Sequence, residues 1–120
     1  MQLSCVDYKT AEMKVLLHHV YEYNKGLRSL VLHTMSKSEQ DKTEELLNRK
    51  GISYTLQLVN SQKINVFFGK EQCIKIVKSF GEKSLSYFTE EEDFILGIML
   101  GYDRNQQYDR YIKRKEISSV

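Results

Sequence analysis

The run Phe94-Ile95-Leu96-Gly97-Ile98-Met99-Leu100-Gly101-Tyr102 constrains this chain more than any other stretch. It follows Thr89 and Glu92, spaced as a capping box, and an acidic stretch from Glu90 to Asp93 that suits the positive end of a helix. The run therefore reads as helical, and its apolar side chains point all the way round the axis. A helix that is apolar on every side has to be enclosed on every side. A bilayer is not the enclosure, because spanning one takes roughly 18 or more apolar residues. One sheet can cover only one side. The rest of the cover comes either from the chain's own helices or from a second copy. The second copy is the expectation, since isologous pairs are the commonest assembly of soluble proteins. Phe94, Ile95, Gly97, Ile98 and Gly101 are the interface residues this predicts. The two glycines stand one turn apart and leave a groove for close backbone approach.

The remaining periodicities place that helix in an α+β chain. Met13, Leu16, Leu17 and Val20 share one side of a helix over 9–24, with Tyr23 at its edge and Gly26 as its stop. A strand over 28–35 follows. Ser38 with Asp41 is spaced as a variant cap for a helix that runs to Lys50 and ends at Gly51. Strict alternation over 52–59 turns Ile52, Tyr54, Leu56 and Leu58 one way and Ser53, Thr55, Gln57 and Val59 the other. Asn60-Ser61-Gln62 makes a turn into a third strand over 63–69, which closes a hairpin. A helix over 70–80 carries Cys73, Ile76, Val77 and Phe80 on one stripe and stops at Gly81. Asp103 with Gln106 caps a last helix reaching Lys115.

The whole reads as one domain, 1–120, with three strands and about five helices. Its β-α-β-β-α core resembles the split β-α-β unit of ferredoxin-like folds. Right-handed crossover puts the third strand between the first two, antiparallel to both, with two helices on one face of the sheet. Val15, His18 and Glu22 on the outer side of the first helix, and a half-polar sheet face bearing Val31, Val59 and Phe67, point to further covered surface.

Composition narrows the function classes. A formal charge of +2 over 120 residues gives little pull toward nucleic acid or acidic membranes. Arg110, Lys113, Arg114 and Lys115 form a basic end, and Phe67 and Phe68 lie where RNA-binding sheets stack bases. The recognition motif of such sheets is absent, so nucleic acid is not the expected partner. The first residues lack the basic start and apolar stretch of an export signal. Cys5 and Cys73 form no CxxC pair, so two reduced thiols and a cytoplasmic location are expected.

The polar candidates cluster near the first helix. His18 and Glu22, four residues apart, share a helix face; His19 flanks them and His33 lies on the next strand. Imidazole with carboxylate can bind zinc or iron, or move a proton. Two ligands do not make a site, because a catalytic zinc takes about three protein ligands. Lys25-Gly26-Leu27-Arg28 can receive a phosphate or carboxylate, with Tyr21 and His33 as neighbours, although this glycine turn closes a helix rather than opening one. His18, Tyr21, Glu22, Lys25, Arg28 and His33 are thus the ligand-binding candidates. No GxGxxG, GxxxxGKS, GxSxG or HExxH pattern occurs, so neither a cofactor nor a catalytic residue is assigned. The leading reading is a homodimeric binding or regulatory module without catalysis. The alternative is a small metal protein or enzyme built on the His/Glu group of the first helix.

His18-His19-Val20-Tyr21-Glu22-Tyr23-Asn24-Lys25-Gly26-Leu27-Arg28, then Leu30-Val31-Leu32-His33-Thr34, and 94–103 with its two glycines, resemble a small bacterial family known as domain of unknown function number twenty-twenty-three. The resemblance covers the whole chain. It implies three strands, five helices and a homodimer. It carries over no activity, ligand or catalytic residue. It also implies a flavodoxin as a protein partner, in electron transfer or its regulation.

Overall fold

Residues 10–118 are described by a computed structural model. The architecture grows from one strand. Lys63–Gly69 is buried at every position after its first residue, and a strand buried on both faces has to be central and covered twice. It is the middle strand, β3, flanked antiparallel by β1 (Leu30–Ser36) and β2 (Ser53–Leu58) in the order β1-β3-β2. The third strand therefore lies between the first two, as the crossover rule requires. The register pairs Val31 and Tyr54 with Phe68, His33 and Leu56 with Val66, and Met35 and Leu58 with Ile64. These residues make one face. Leu30, Leu32, Thr34, Asn65, Phe67, Thr55 and Gln57 make the other.

The five α-helices are α1 (Ala11–Asn24), α2 (Gln40–Arg49), α3 (Glu71–Ser79), α4 (Glu90–Met99) and α5 (Arg104–Ser118), with 3-10 turns at Lys37–Glu39 and Leu85–Tyr87. On the first face Met13, Leu16 and Val20 of α1 and Leu46 and Leu47 of α2 close over Val31, Met35, Ile64, Val66 and Phe68. On the second face Ile74 and Val77 of α3, Phe88, and Leu96 and Leu100 of α4 close over Leu30 and Phe67. The core helices α2 and α3 thus lie on opposite faces, not on one as a ferredoxin-like arrangement predicts. The cause is the adjacent pair Phe67 and Phe68. One ring enters each face, and burying each stabilises by about 1.5–3 kcal/mol, so neither face tolerates water.

Asn65 is the polar exception in the middle strand, and a chain of hydrogen bonds across the sheet satisfies it. Thr34 Oγ1 donates to Asn65 Oδ1 (2.6 Å), Asn65 Nδ2 donates to Gln57 Oε1 (2.8 Å), and Gln57 Nε2 donates to the carbonyl of Lys83. The last bond ties the segment after α3 to strand β2.

Three local expectations change. The Ser38/Asp41 cap is replaced by the 3-10 turn: Lys37 N–H donates to the Gln62 carbonyl (2.8 Å), which holds the chain against the hairpin end, and α2 starts without a side-chain cap. On α3 the buried pair is Ile74 and Val77, with Cys73 half-buried and Ile76 exposed. Val31 and Phe67 lie on opposite sheet faces, and Val59 lies past the end of β2 in solvent, so they do not form one half-polar face.

At the far end α4 and α5 form an antiparallel hairpin. The capping box of Thr89 and Glu92 opens α4, and Asp103 Oδ2 accepts from Gln106 N–H (2.9 Å) at the start of α5. Asp93 receives Arg110 through two hydrogen bonds (2.7 and 3.2 Å) and lies 3.4 Å from Arg114, while Lys115 lies 2.9 Å from Glu91. The acidic start of α4 is therefore the counter-charge of the basic end of α5. Because α5 rests chiefly on α4, the molecule is long: 60 × 33 × 24 Å, with a radius of gyration of 15.8 Å, against about 14 Å for a compact chain of this length.

Candidate functional site

The antiparallel run of α1 over β1 brings His19, Glu22, Arg28 and His33 together. His19 Nδ1 lies 3.2 Å from Glu22 Oε1 and 3.2 Å from Arg28 Nη1, and Arg28 Nη1 lies 3.5 Å from the same carboxylate oxygen. The rings of His19 and His33 are 5.3 Å apart. The Nδ1 atom has one role at a time: it donates to Glu22 or accepts from Arg28, as its tautomer dictates. The hydrogen bond from His19 holds the Glu22 carboxyl below its usual range, against the opposing effect of partial burial, with help from His18 and Arg28. Burial lowers the His33 imidazole, and the neighbouring His19 adds to this while Glu12 works against it. His33 Nε2 is buried without a hydrogen-bond partner.

The other predicted residues form a separate outer layer. The His18 side chain is 68% exposed and lies 3.8 Å from Glu22. Tyr21 stacks on it at 6.3 Å, and Lys25 Nζ stands 5.5 Å from the Tyr21 ring. Tyr21 and Lys25 thus look outward, whereas Arg28 and His33 look inward, and the four do not meet in one pocket. Among the described residues, no group of three or more His, Cys, Asp and Glu side chains is placed to hold a metal ion. Arg28 sets a permanent cation beside His19 and Glu22.

The predicted interface residues of α4 divide three ways. Leu96 and Leu100 beside them enter the second core, and Gly97 is buried against the chain's own α5. Gly101, at φ +83°, follows α4 in the left-handed conformation that ends it. Phe94 and Ile98 are half-buried and Ile95 is exposed. The own helix α5 therefore supplies part of the enclosure, and the Phe94–Ile95 side is left over. There α4 and α5 line a shallow cavity of about 550 Å³ with Glu91, Phe94, Ile95, Tyr108, Tyr111 and Ile112. The rings of Tyr108 and Tyr111 lie 6.0 and 5.4 Å from that of Phe94. Sequence reasoning missed Tyr108 and Ile112. Their signal was present as apolar residues four apart, with Tyr111 beside them, in a mostly polar helix.

Two deeper cavities flank Phe88, one of about 630 Å³ beside β2 and α3 and one of about 560 Å³ between β1, α4 and α5. Phe67 and Phe68 are sealed in the two cores, so neither ring is presented for base stacking. Among the described residues no helix is long and apolar enough to cross a membrane. Cys5 lies outside the described residues.

A search of curated proteins found no match to this chain. A family model does match, over residues 14–114, which takes in both cores except Met13, the α1/β1 cluster and most of the α4–α5 hairpin. The chain therefore belongs to the family described as "Protein of unknown function (DUF2023)".

Proposed function

We propose that this chain is a homodimeric binding or regulatory module without catalytic chemistry of its own, and that two copies meet through the outer side of the α4–α5 hairpin. One observation carries the reading. Ile95 (38% exposed), Tyr108 (44%) and Ile112 (54%) form a continuous apolar strip with Phe94 and Tyr111 on the part of the molecule that projects from the sheet. Single exposed apolar residues are ordinary, but a contiguous patch on a protruding helical pair marks a contact surface. A second copy suits it, because an isologous contact sets the strip against itself and leaves Glu91, the one charged residue lining it, paired with Lys115 of its own chain. In the α1/β1 cluster the Glu22 carboxylate, the His19 imidazole and the Arg28 guanidinium are already engaged with one another.

Sedimentation velocity at micromolar concentration tests this. The expected result is a dimer for the natural chain, and monomers for Ile112→Glu and Ile95→Glu with secondary structure retained. A natural chain that sediments as a monomer sinks the proposal.

A further inference from the structure

Strand β2 is an edge of the sheet, so one side of its backbone faces away from β3. Val59 N–H donates to the Lys63 carbonyl (3.0 Å), which makes these two a hydrogen-bonded pair. In an antiparallel ladder such pairs alternate with unbonded ones. Ser53, Thr55 and Gln57 therefore bond to β3, and the N–H and C=O groups of Tyr54, Leu56 and Leu58 point outward. Among the described residues, no hydrogen bond from another segment reaches these outward groups. The opposite edge is different. At β1 the outward Ser36 N–H donates to Glu12 Oε2 (2.9 Å).

Folded proteins close a free edge with charges, prolines or bulges. Strand β2 uses none of these. No charged side chain occurs from Gly51 to Gln62, the chain contains no proline, and the pairing of Ser53–Leu58 with β3 is unbroken. The strand is half-buried along most of its length, and Leu58 is 60% exposed.

The cavity of about 630 Å³ lies along this edge. Thr55, Leu56, Gln57 and Leu58 all line it. Successive side chains of a strand point to opposite faces, so one cavity touched by four in a row runs beside the backbone. Lys78 and the segment 81–84 form the far wall, tied to β2 by the bond from Gln57 to the Lys83 carbonyl. Phe67, Val77 and Phe88 supply apolar surface. A cleft so walled suits a single extended chain. A second copy would have to bring in a whole sheet edge with its own helices. On the other face the entrant meets Tyr54, Leu56 and Leu58, so apolar side chains suit both of its sides.

We infer that β2 takes up an extended peptide segment of a protein partner, uncharged and apolar over its middle, as a fourth strand. Main-chain hydrogen bonds to Tyr54, Leu56 and Leu58 would hold it, and alternate side chains would enter the cleft. This specifies the binding part of the reading above and does not depend on the dimer, whose contact strip lies on α4 and α5.

Nitrogen-15 NMR of the full chain tests it with three peptides, acetyl-Lys-Thr-X-Thr-X-Thr-Lys-amide, in which X is valine, phenylalanine or leucine. At least one is expected to shift the backbone amides of Tyr54, Leu56 and Leu58 and slow their exchange, leaving Leu32 and Thr34 of β1 unmoved. The same peptide methylated on every Thr and X nitrogen keeps its side chains but loses its strand donors. It should bind about tenfold or more weakly. Leu58→Lys, which sets a charge on the edge at an exposed position, should weaken binding likewise. Ile112→Glu, aimed at the dimer contact, should bind as the natural chain does. Three peptides that leave the β2 amides unmoved, or equal binding by the methylated peptide or by Leu58→Lys, would each overturn the site. So would protection of those amides that exists without peptide and vanishes on dilution, which would give the edge to a second copy.

Discussion

His33 carries the most direct consequence for solution behaviour among the single residues. Its imidazole is held below the ordinary 6.5, so between those two values the unfolded chain binds more protons than the folded one. Stability is therefore present above about pH 6.5 and lost as pH falls toward the folded value. The groups facing His33 are His19 and Glu12, both from α1. Glu12 and Glu22 have lowered values as well, but they act in the carboxylate range below 4.5. Urea midpoints measured from pH 7.5 to 5.5 should fall, and His33→Gln should flatten that slope; a slope unchanged in the variant would assign it elsewhere. Gly97 gives a second test at this scale. Gly97→Ala should lower stability despite a helix gain of about 1 kcal/mol, because the new methyl meets Gln107. In a Gln107→Ala background the same change should instead stabilise by about 0.5–1 kcal/mol. A denaturation cycle of the four proteins reads the sign in each background.

Among the elements, β3 and the α4–α5 hairpin differ in how they are held. The strand is fixed by two separate apolar cores, and truncating Phe67 or Phe68 to alanine should cost about 3–5 kcal/mol in either case. The hairpin depends more on charge. Asp93 is held below the usual carboxylate range: partial burial raises it, but hydrogen bonds and charge from Arg110 and Arg114 outweigh that. Asp93→Asn removes the acceptor that the two arginines share. The expected loss is about 1 kcal/mol, given the exposure of Arg110, and it should fall mainly on α5. Hydrogen exchange should show faster exchange in α5 and little change in β3. The acidic run and the basic end were each visible in the sequence as separate features. Their pairing was not, because it depends on the antiparallel return of α5 along α4.

Over the whole molecule, the extended shape follows from placing one helix outside both cores. The described chain measures 60 Å along its longest axis and 24 Å along its shortest. If two copies join through the hairpin, α5 gains cover it lacks alone. In the monomeric Ile112→Glu variant, amides of α5 should then exchange much faster than those of β3, whereas in the natural dimer the gap should narrow. Equal protection of α5 in both proteins would place the contact elsewhere.

Strand alternation, helix periodicity, glycine stops and the Thr89/Glu92 and Asp103/Gln106 caps were legible without coordinates, since each depends on neighbours a few residues apart. The central place of β3 was legible too, because the handedness of crossovers leaves few topologies. The side of the sheet taken by α3, the burial of Ile74 in place of Ile76, and the seating of Gln107 against Gly97 were decided only in three dimensions. So was the meeting of Arg28 with His19 and Glu22, which set a permanent cation inside a metal-like pattern. Local chemistry fixes which residues turn inward along an element. Which element they then meet is set by packing the whole chain at once, and no short-range pattern encodes that.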